Sequence, residues 1–330
     1  MSANEDVIRP SDAKCDEASD AEFSESPSLR EWIRRVVWFD FLYLVFFHVG
    51  YILSIIIYVF GLYSDPVKWQ TIVWVVFLFL TVGVGITGGV HRYWTHRTYK
   101  AKLPLRIILM IMYSAAGSYP IFYWVKDHRV HHKYSETNAD PYNAKRGFFH
   151  AHFGWIVQPR HPEYLRRGRE VDMSDIIADP VAMFEKKYAV ELRLLLCFGL
   201  PTIIPILCWN ETIFHAVLLL CFIRYITIWN ATSSVNSFSH IYGSRPYNKS
   251  IGPTELPIVS FFTFGEGSHN YHHTFPWDYK ATESLFKHFS LTTLFINACA
   301  KLGLAYDLRE ASPELVEKVI RRTGYKSKNQ

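Results

Sequence analysis

The sequence is poor in cysteine and spaces none of it for chemistry. Its five residues, Cys15, Cys197, Cys208, Cys221 and Cys299, are scattered. No C-x-x-C pair and no disulfide framework can be read from them. Cys197, Cys208 and Cys221 lie in apolar stretches, where the thiol acts as a small hydrophobe. Charge of one sign is weak as well. A net charge of +5 over 330 residues is too small for a nucleic-acid surface, and no nucleic-acid motif accompanies it, so that partner class is excluded. The N-terminus has no apolar run behind a basic start, which excludes a cleaved signal peptide. Residues 1–29 are instead rich in Ser, Asp and Glu and read as a disordered polar segment.

One stretch lacks charge altogether. Residues 71–90 are apolar or small throughout, and about twenty such residues span a bilayer. Three more runs have that length: 36–60, broken by Asp40 and His48; 192–209, with Arg193 at its edge; and 212–230, with His215 and Arg224. A single one would read as a buried soluble helix. Four in one chain give an all-α integral membrane protein with four transmembrane helices. Polar turns at Asp65-Pro66 and Asn210-Glu211 pair the spans into two hairpins. Residues 30–325 form a single domain. Its cytosolic cap is drawn from 91–190 and 231–325, followed by a short tail at 326–330. Residues 103–124 are apolar but carry Pro104, Arg106 and Pro120, and read as one helix lying at the membrane interface.

What the chain has in excess is histidine in clusters. His128-Arg129-Val130-His131-His132 places three imidazoles at i, i+3 and i+4, one face of a helix, where they would converge on one point. His269-Asn270-Tyr271-His272-His273 repeats the spacing. His91 and His96 stand at i, i+5, which suits an α-helical face poorly and predicts a helix ending or distorted there. His240 follows Asn236 by one turn. These segments hold nine of fifteen histidines. An isolated histidine is usually a hydrogen-bonded core residue, but clusters at ligand spacing point to metal, since imidazole suits iron, copper, zinc and nickel. Four ligands close a structural zinc site, so nine point to two adjacent metals. Mounted on a membrane cap, a di-metal site implies a lipid substrate. An unactivated C–H bond in a lipid chain yields only to oxygen chemistry at a redox metal. The residues alone reach an oxygen-dependent, membrane-bound iron oxidoreductase. They leave desaturation, hydroxylation and a catalytically inactive lipid-binding or scaffold role open.

The longer motifs resemble those of the acyl-CoA fatty acid desaturases, most closely the insect branch that includes moth pheromone enzymes. His128 through Thr137 with Ala139-Asp140-Pro141 looks like that family's second box. Gly265-Glu266-Gly267 leading into His269–His273, with Phe275-Pro276 and Asp278-Tyr279, looks like the third, and His91 through Lys100 like the first. Asn236-Ser237 with His240 and Arg245-Pro246-Tyr247 completes the set, and the similarity covers residues 31–324. The resemblance implies four transmembrane helices under a helical cap holding a di-iron site. Its ligands would be His91, His96, His128, His131, His132, His240, His269, His272 and His273, with Asn236 acting through a water. Asn270 and Tyr271 would orient imidazoles. His48, His150, His152, His161, His215 and His288 match no ligand position.

The implied reaction takes a fatty acyl-CoA, O2 and two electrons. The electrons come singly from cytochrome b5, itself reduced by NADH-cytochrome b5 reductase. Two hydrogens leave neighbouring methylenes, giving a double bond and water. The implied location is the endoplasmic reticulum membrane. Matched positions for the CoA head are Asp40, Lys126, Asp127 and Arg160, and for the acyl tunnel Gly83, Tyr119, Trp124, Thr232 and Ser233. Several depart from the family's usual residues. Lys126 stands for Arg, Asp40 for Asn, and Pro159 for a basic residue. Tyr119-Pro120 replaces a Gln-Asn or Gln-Asp pair, and Ser233 replaces a Trp. Those last changes fall at the tunnel's bend and imply a shifted bond position, a trans component or an unusual chain-length preference. Gly83, without a side chain, would leave room for a longer methyl end.

Charge sets the expected orientation. Residues 91–190 carry sixteen Lys or Arg, the Asn210 turn none and the Asp65 turn only Lys68. The positive-inside rule puts the histidines and both termini in the cytosol. A glycosylation tag in the Asn210 turn should therefore be modified on expression in microsomes, and a tag at either terminus should not. A glycosylated terminus overturns this orientation.

Overall fold

The computed structural model describes residue 33, residues 35–283 and residues 290–324. The expected polar segment at 1–29, the tail at 326–330 and His288 lie outside them. The described chain is mostly helical. Its one paired sheet is two residues per strand, β1 (Lys100–Ala101) antiparallel to β2 (Ala305–Tyr306).

Four helices are long and apolar enough to cross a membrane: α1 (Trp38–Val59), α2 (Trp69–Thr95), α6 (Ala189–Trp209) and α7 (Ile213–Ile241). The protein is thus a multi-pass membrane protein. Two spans run past their expected ends. α2 continues from 90 to Thr95, and α7 from 230 to Ile241, because each carries its histidines on the same helix that crosses the membrane. Burial sorts the four. Of the most apolar window, 44% is buried in α2 and in α7, against 6% in α1 and 17% in α6. The inner pair packs within the protein, while α1 and α6 turn apolar side chains outward, as a helix in lipid does.

The two hairpin turns are clamped together. Glu211 accepts from Thr71 Oγ1 at 2.5 Å, from the Lys68 N–H at 3.0 Å and from the Thr212 N–H at 2.9 Å. Lys68 Nζ donates to the Trp209 and Asn210 carbonyls at 2.7 and 2.6 Å. Asn210 takes a left-handed φ of 54°, which ends α6 sharply. Holding both turns at one level puts the histidine ends of α2 and α7 at the other.

The expected single helix over 103–124 is broken. α3 covers Leu103–Ser114, the chain turns at Gly117 with φ +66°, and α4 (Ile121–Tyr134) begins after Pro120. Proline is favoured at a helix start because it needs no donor there. Trp124 therefore belongs to the histidine helix rather than to an interfacial one. α3 presses closely on α2: a Cβ on Gly85 would lie 2.5 Å from the Met112 carbonyl carbon, so only glycine permits this approach. α5 (Pro180–Lys187) braces α4, Glu185 accepting from the Ile121 N–H at 2.8 Å.

Arg224 lies within α7 and is 1% exposed. Its guanidinium donates to the Leu220 carbonyl of its own helix at 3.1 Å, to Ala115 O after α3 at 3.1 Å, and to Cys197 O of α6. Three segments meet on one cation. Arg224→Ala should cost on the order of 3 kcal/mol, because it strands buried carbonyls. Thermal unfolding in detergent should show a clear drop in midpoint, with Arg224→Lys intermediate.

Candidate metal centre

The first box is wound to suit its spacing. From Gly85 to Thr95, α2 is a π-helix, in which each turn closes on the fifth residue. The His96 N–H donates to His91 O at 3.1 Å. The i, i+5 pair that misfits an α-helix is thereby aligned, and the two rings stand 4.8 Å apart. α4 supplies His128, His131 and His132; α9 (His269–Thr274) supplies His269, His272 and His273; α7 supplies His240.

The nine imidazoles do not converge on one point per box. They divide into two groups, one of His91, His96, His128, His132 and His272 and the other of His131, His240, His269 and His273. In each H-x-x-H-H box the i, i+4 pair stays together and the i+3 residue crosses to the other group. A helical face is some 100° wide, so side chains at its two margins can reach different centres. His132 and His273 stack at 3.9 Å where the groups meet.

Acceptors behind the rings fix which nitrogen faces inward. Glu266 Oε2 lies 2.9 Å from His91 Nδ1, and Asp140 Oδ1 lies 2.8 Å from His131 Nδ1. An ionised carboxylate only accepts, so each Nδ1 carries a proton and Nε2 is the nitrogen turned inward. Glu136 approaches His240 Nδ1 at 3.7 Å, a charge contact too long for a hydrogen bond. Burial raises the Glu266 carboxyl, but the adjacent Arg92 guanidinium and His91 overcome it and hold it at about 2. Asp140 is likewise lowered, burial being outweighed by His131 and by the Glu136 N–H. His96, His128, His132, His269, His272 and His273 are all pushed well below the ordinary imidazole range, first by burial and then by one another. They are neutral, the form that ligates.

The donor set fits metal. Nε2 of His96 and of His131 are buried with no hydrogen-bond partner. Neighbouring Nε2 atoms stand 3.0 Å apart for His91 and His272 and for His240 and His269, and 3.1 Å for His128 and His132. Metal–imidazole bonds of about 2.1 Å at right angles would give a separation of about 3.0 Å. Asn236 lines the adjoining cavity beside His269, one turn before His240.

That cavity and the open space at its mouth together come to about 1090 Å³. His91 and His128 of one group and His269 of the other reach its wall. The rest is largely aromatic and aliphatic, including Phe79, Trp155 and Ile228.

A family model described as fatty acid desaturase matches residues 68–287. The chain belongs to the fatty acid desaturase family. It is 46% identical over 295 residues to an acyl-CoA Delta(11) desaturase of Spodoptera littoralis, covering 88% of this chain and 84% of the relative. It is 49% identical over 267 residues to an acyl-CoA Delta(11) desaturase of Trichoplusia ni, covering 80% and 76%. An acyl-CoA Delta-9 desaturase of Acheta domesticus is 42% identical over 322 residues, covering 97% and 87%.

Of the matched tunnel residues in this desaturase-family chain, Gly83, Tyr119, Trp124, Thr232 and Ser233 all line the cavity. Trp124 stacks on His128 at 4.7 Å. The space expected at Gly83 is filled: a Cβ there would lie 1.8 Å from the Phe264 ring. The head-group positions stand apart from this lining. Lys126, Asp127 and Arg160 are 2%, 2% and 3% exposed. Arg160 pairs with Asp127, which also accepts from Tyr164, and it lies 4.8 Å over the Trp155 ring. Burying a cation requires such a partner, so the chain's own carboxylate occupies the guanidinium. Asp40, half-buried, opens α1 in its first turn, where the helix dipole favours a carboxylate.

Asn270 and Tyr271 orient no imidazole. The Asn270 amide donates to the Asn248 and Pro253 carbonyls at 2.9 Å each and accepts from the Tyr247 N–H at 2.9 Å, and Tyr271 donates to Asp278 at 2.7 Å. They fix the loop beside α9. The histidines outside the two groups have other partners: His48 the Leu44 carbonyl, His152 Ser237 and Asn230, His215 Tyr58 and the Asp65 carbonyl. Sequence reasoning left Glu266 and Asp140 without a role. They stand in Gly265-Glu266-Gly267 and Ala139-Asp140-Pro141, and those flanking motifs were their only signal. Tyr142 and Trp155 on the cavity wall had none.

Glu266→Gln should keep the fold and lose the ionised acceptor behind His91, lowering metal retention or turnover by about 10–100-fold. Metal analysis of the purified variant checks this. His131→Ala and His272→Ala, one from each group, should abolish product, and normal turnover in either removes that residue from the ligand set.

Proposed function

We infer that the cavity holds a fatty acyl chain against two irons, one in each imidazole group. The protein is an acyl-CoA desaturase, an oxidoreductase of lipid metabolism. The observation that carries the reading is the composition of the cavity wall. Imidazoles from both groups meet a cavity that is otherwise mainly apolar, as a methylene chain requires. Two irons held there supply the oxygen chemistry that an unactivated C–H bond demands.

The chain's own residues do the positioning. The five-imidazole group takes one iron. The other is held by His131, His240, His269 and His273, with Asn236 beside them to place a water. Trp124, flat on His128, covers that imidazole on the substrate side. Tyr119 packs its ring 5.8 Å from Trp155, and its backbone oxygen accepts from the Tyr113 hydroxyl at 2.5 Å. The wall at the bend is therefore an aromatic pair on a fixed backbone. Thr232 and Ser233 face it from α7. Resemblance assigns the CoA head to the positions of Asp40, Lys126, Asp127 and Arg160, and a bound phosphate there would compete with Asp127 for the Arg160 guanidinium. Electrons come from cytochrome b5 and its NADH-dependent reductase, which reach the cap from the cytosol. The setting is the endoplasmic reticulum membrane with both termini cytosolic, supported by the basic residues between the second and third spans.

The relatives named Delta(11) and Delta-9 are similarly close, so identity alone does not assign the bond position. The aromatic bend supports a product other than one mid-chain cis bond. Expression in desaturase-deficient yeast, fed saturated chains of several lengths, should give a shifted bond, a trans fraction or unusual chain lengths. A single cis bond at the ninth carbon on ordinary lengths would mean the substitutions at the bend are silent. Tyr119→Gln with Ser233→Trp should move the profile when made together, since contacting residues act non-additively.

A further inference from the structure

Gly83 lies on α2 eight residues before His91, where the α-helical part of the span gives way to its π-helical part. Its missing side chain is not open space. A Cβ would lie 1.8 Å from Phe264 Cε2 and 2.5 Å from Cδ2. The Phe264 ring occupies the notch and packs edge-on against Phe79 at 5.6 Å. Phe79, Gly83 and Phe264 all belong to the cavity lining.

Phe264 is held there at a conformational cost. Its φ is +60°, a left-handed value that a bulky side chain rarely takes and that surrounding structure must enforce. The enforcing loop is short. Thr263, the residue before it, ends the helix α8 (Pro257–Phe262) and is tied by its hydroxyl to the Val259 carbonyl at 2.6 Å. Gly265, the residue after it, has φ +114° and would clash with Ser290 if it bore a Cβ. Glu266, next again, is fixed by His91 and Arg92. The ring's position is thus set from both sides, and one of them is the metal centre itself.

We propose that Phe264 is the stop for the methyl end of the acyl chain, and that Gly83 admits this ring rather than a longer substrate. The proposal rests on the acyl-chain reading of the cavity. The ring closes the wall that a side chain on α2 would otherwise close, and its distance from the imidazoles fixes how much chain fits beyond the reacting carbons. With the CoA head anchored at the other end, moving the stop changes the longest chain accepted. It does not change the bond position counted from the carboxyl carbon.

The test is product mapping with saturated acyl-CoAs of graded length, comparing wild type, Phe264→Val, Phe264→Leu, Gly83→Ala and the Gly83→Ala/Phe264→Val pair. Phe264→Val should raise turnover of chains two carbons beyond the wild-type limit at least about tenfold relative to the wild-type optimum, in line with what a methylene's fit is worth. The bond should stay at the same carbon from the carboxyl. Phe264→Leu, the milder change, should move the limit in the same direction. Gly83→Ala should fail on all lengths beside the native ring, and the pair should recover activity, a coupling that separated residues would not show. An unchanged length profile in both Phe264 variants, or a loss uniform over all lengths, overturns the proposal. Wild type without product on any acyl-CoA, despite bound iron, overturns the acyl-chain reading instead.

Discussion

Imidazole must be neutral to ligate, and nine imidazoles packed into two clusters set the terms for the rest of the molecule. For His96, His128, His132, His269, His272 and His273, burial disfavours the charged form and neighbouring rings disfavour it further. The same burial would be costly for unpaired polar nitrogen. Carboxylates outside the rings offset part of that cost, and bound iron between the rings would offset the remainder. Glu266 and Asp140 are ionised and acceptor-only, so each aims one Nε2 inward. Arg92, fully buried, balances Glu266 and donates to the Tyr279 carbonyl at 2.8 Å and to Thr293 at 3.0 Å, drawing α10 (Leu291–Lys301) into the same network.

Helix winding carries the same constraint into the membrane. α2 and α7 are at once the best-buried spans and the carriers of His91, His96, Asn236 and His240. A π-helical segment lets α2 present two ligands five residues apart without breaking the helix that crosses the bilayer. The clamp at Lys68, Thr71 and Glu211 levels both hairpins at their far turns. Arg224 joins α7 to α6 and to the end of α3 midway. The ligand-bearing ends are thereby held in register from below.

The cavity follows from where these helices cannot touch. The two imidazole groups bring α2, α4, α7 and α9 together. The apolar space beside them is lined by aromatic rings, Tyr119, Trp155 and Phe264 among them. On the acyl-chain reading, substrate selection lies with rings on the segments that flank the histidine boxes, Tyr119 before His128 and Phe264 before His269, while the chemistry lies with the histidines.

The sequence by itself determined the class, the four apolar spans and the nine clustered histidines, because length, hydropathy and ligand spacing are local properties. It also carried Glu266, beside the third box, without showing what that carboxylate touches. Only the tertiary structure decided how the boxes share their ligands. Spacing says that His128, His131 and His132 lie on one face, but the positions of α7 and α9 send His131 one way and its neighbours the other. It alone showed that Arg160 is taken up by Asp127 and that Asn270 holds a loop instead of a ring. Gly83 is the sharpest case: a glycine in sequence reads as room, and whether the room stays empty depends on Phe264, 181 residues away, whose ring enters the notch only once the chain has folded around it.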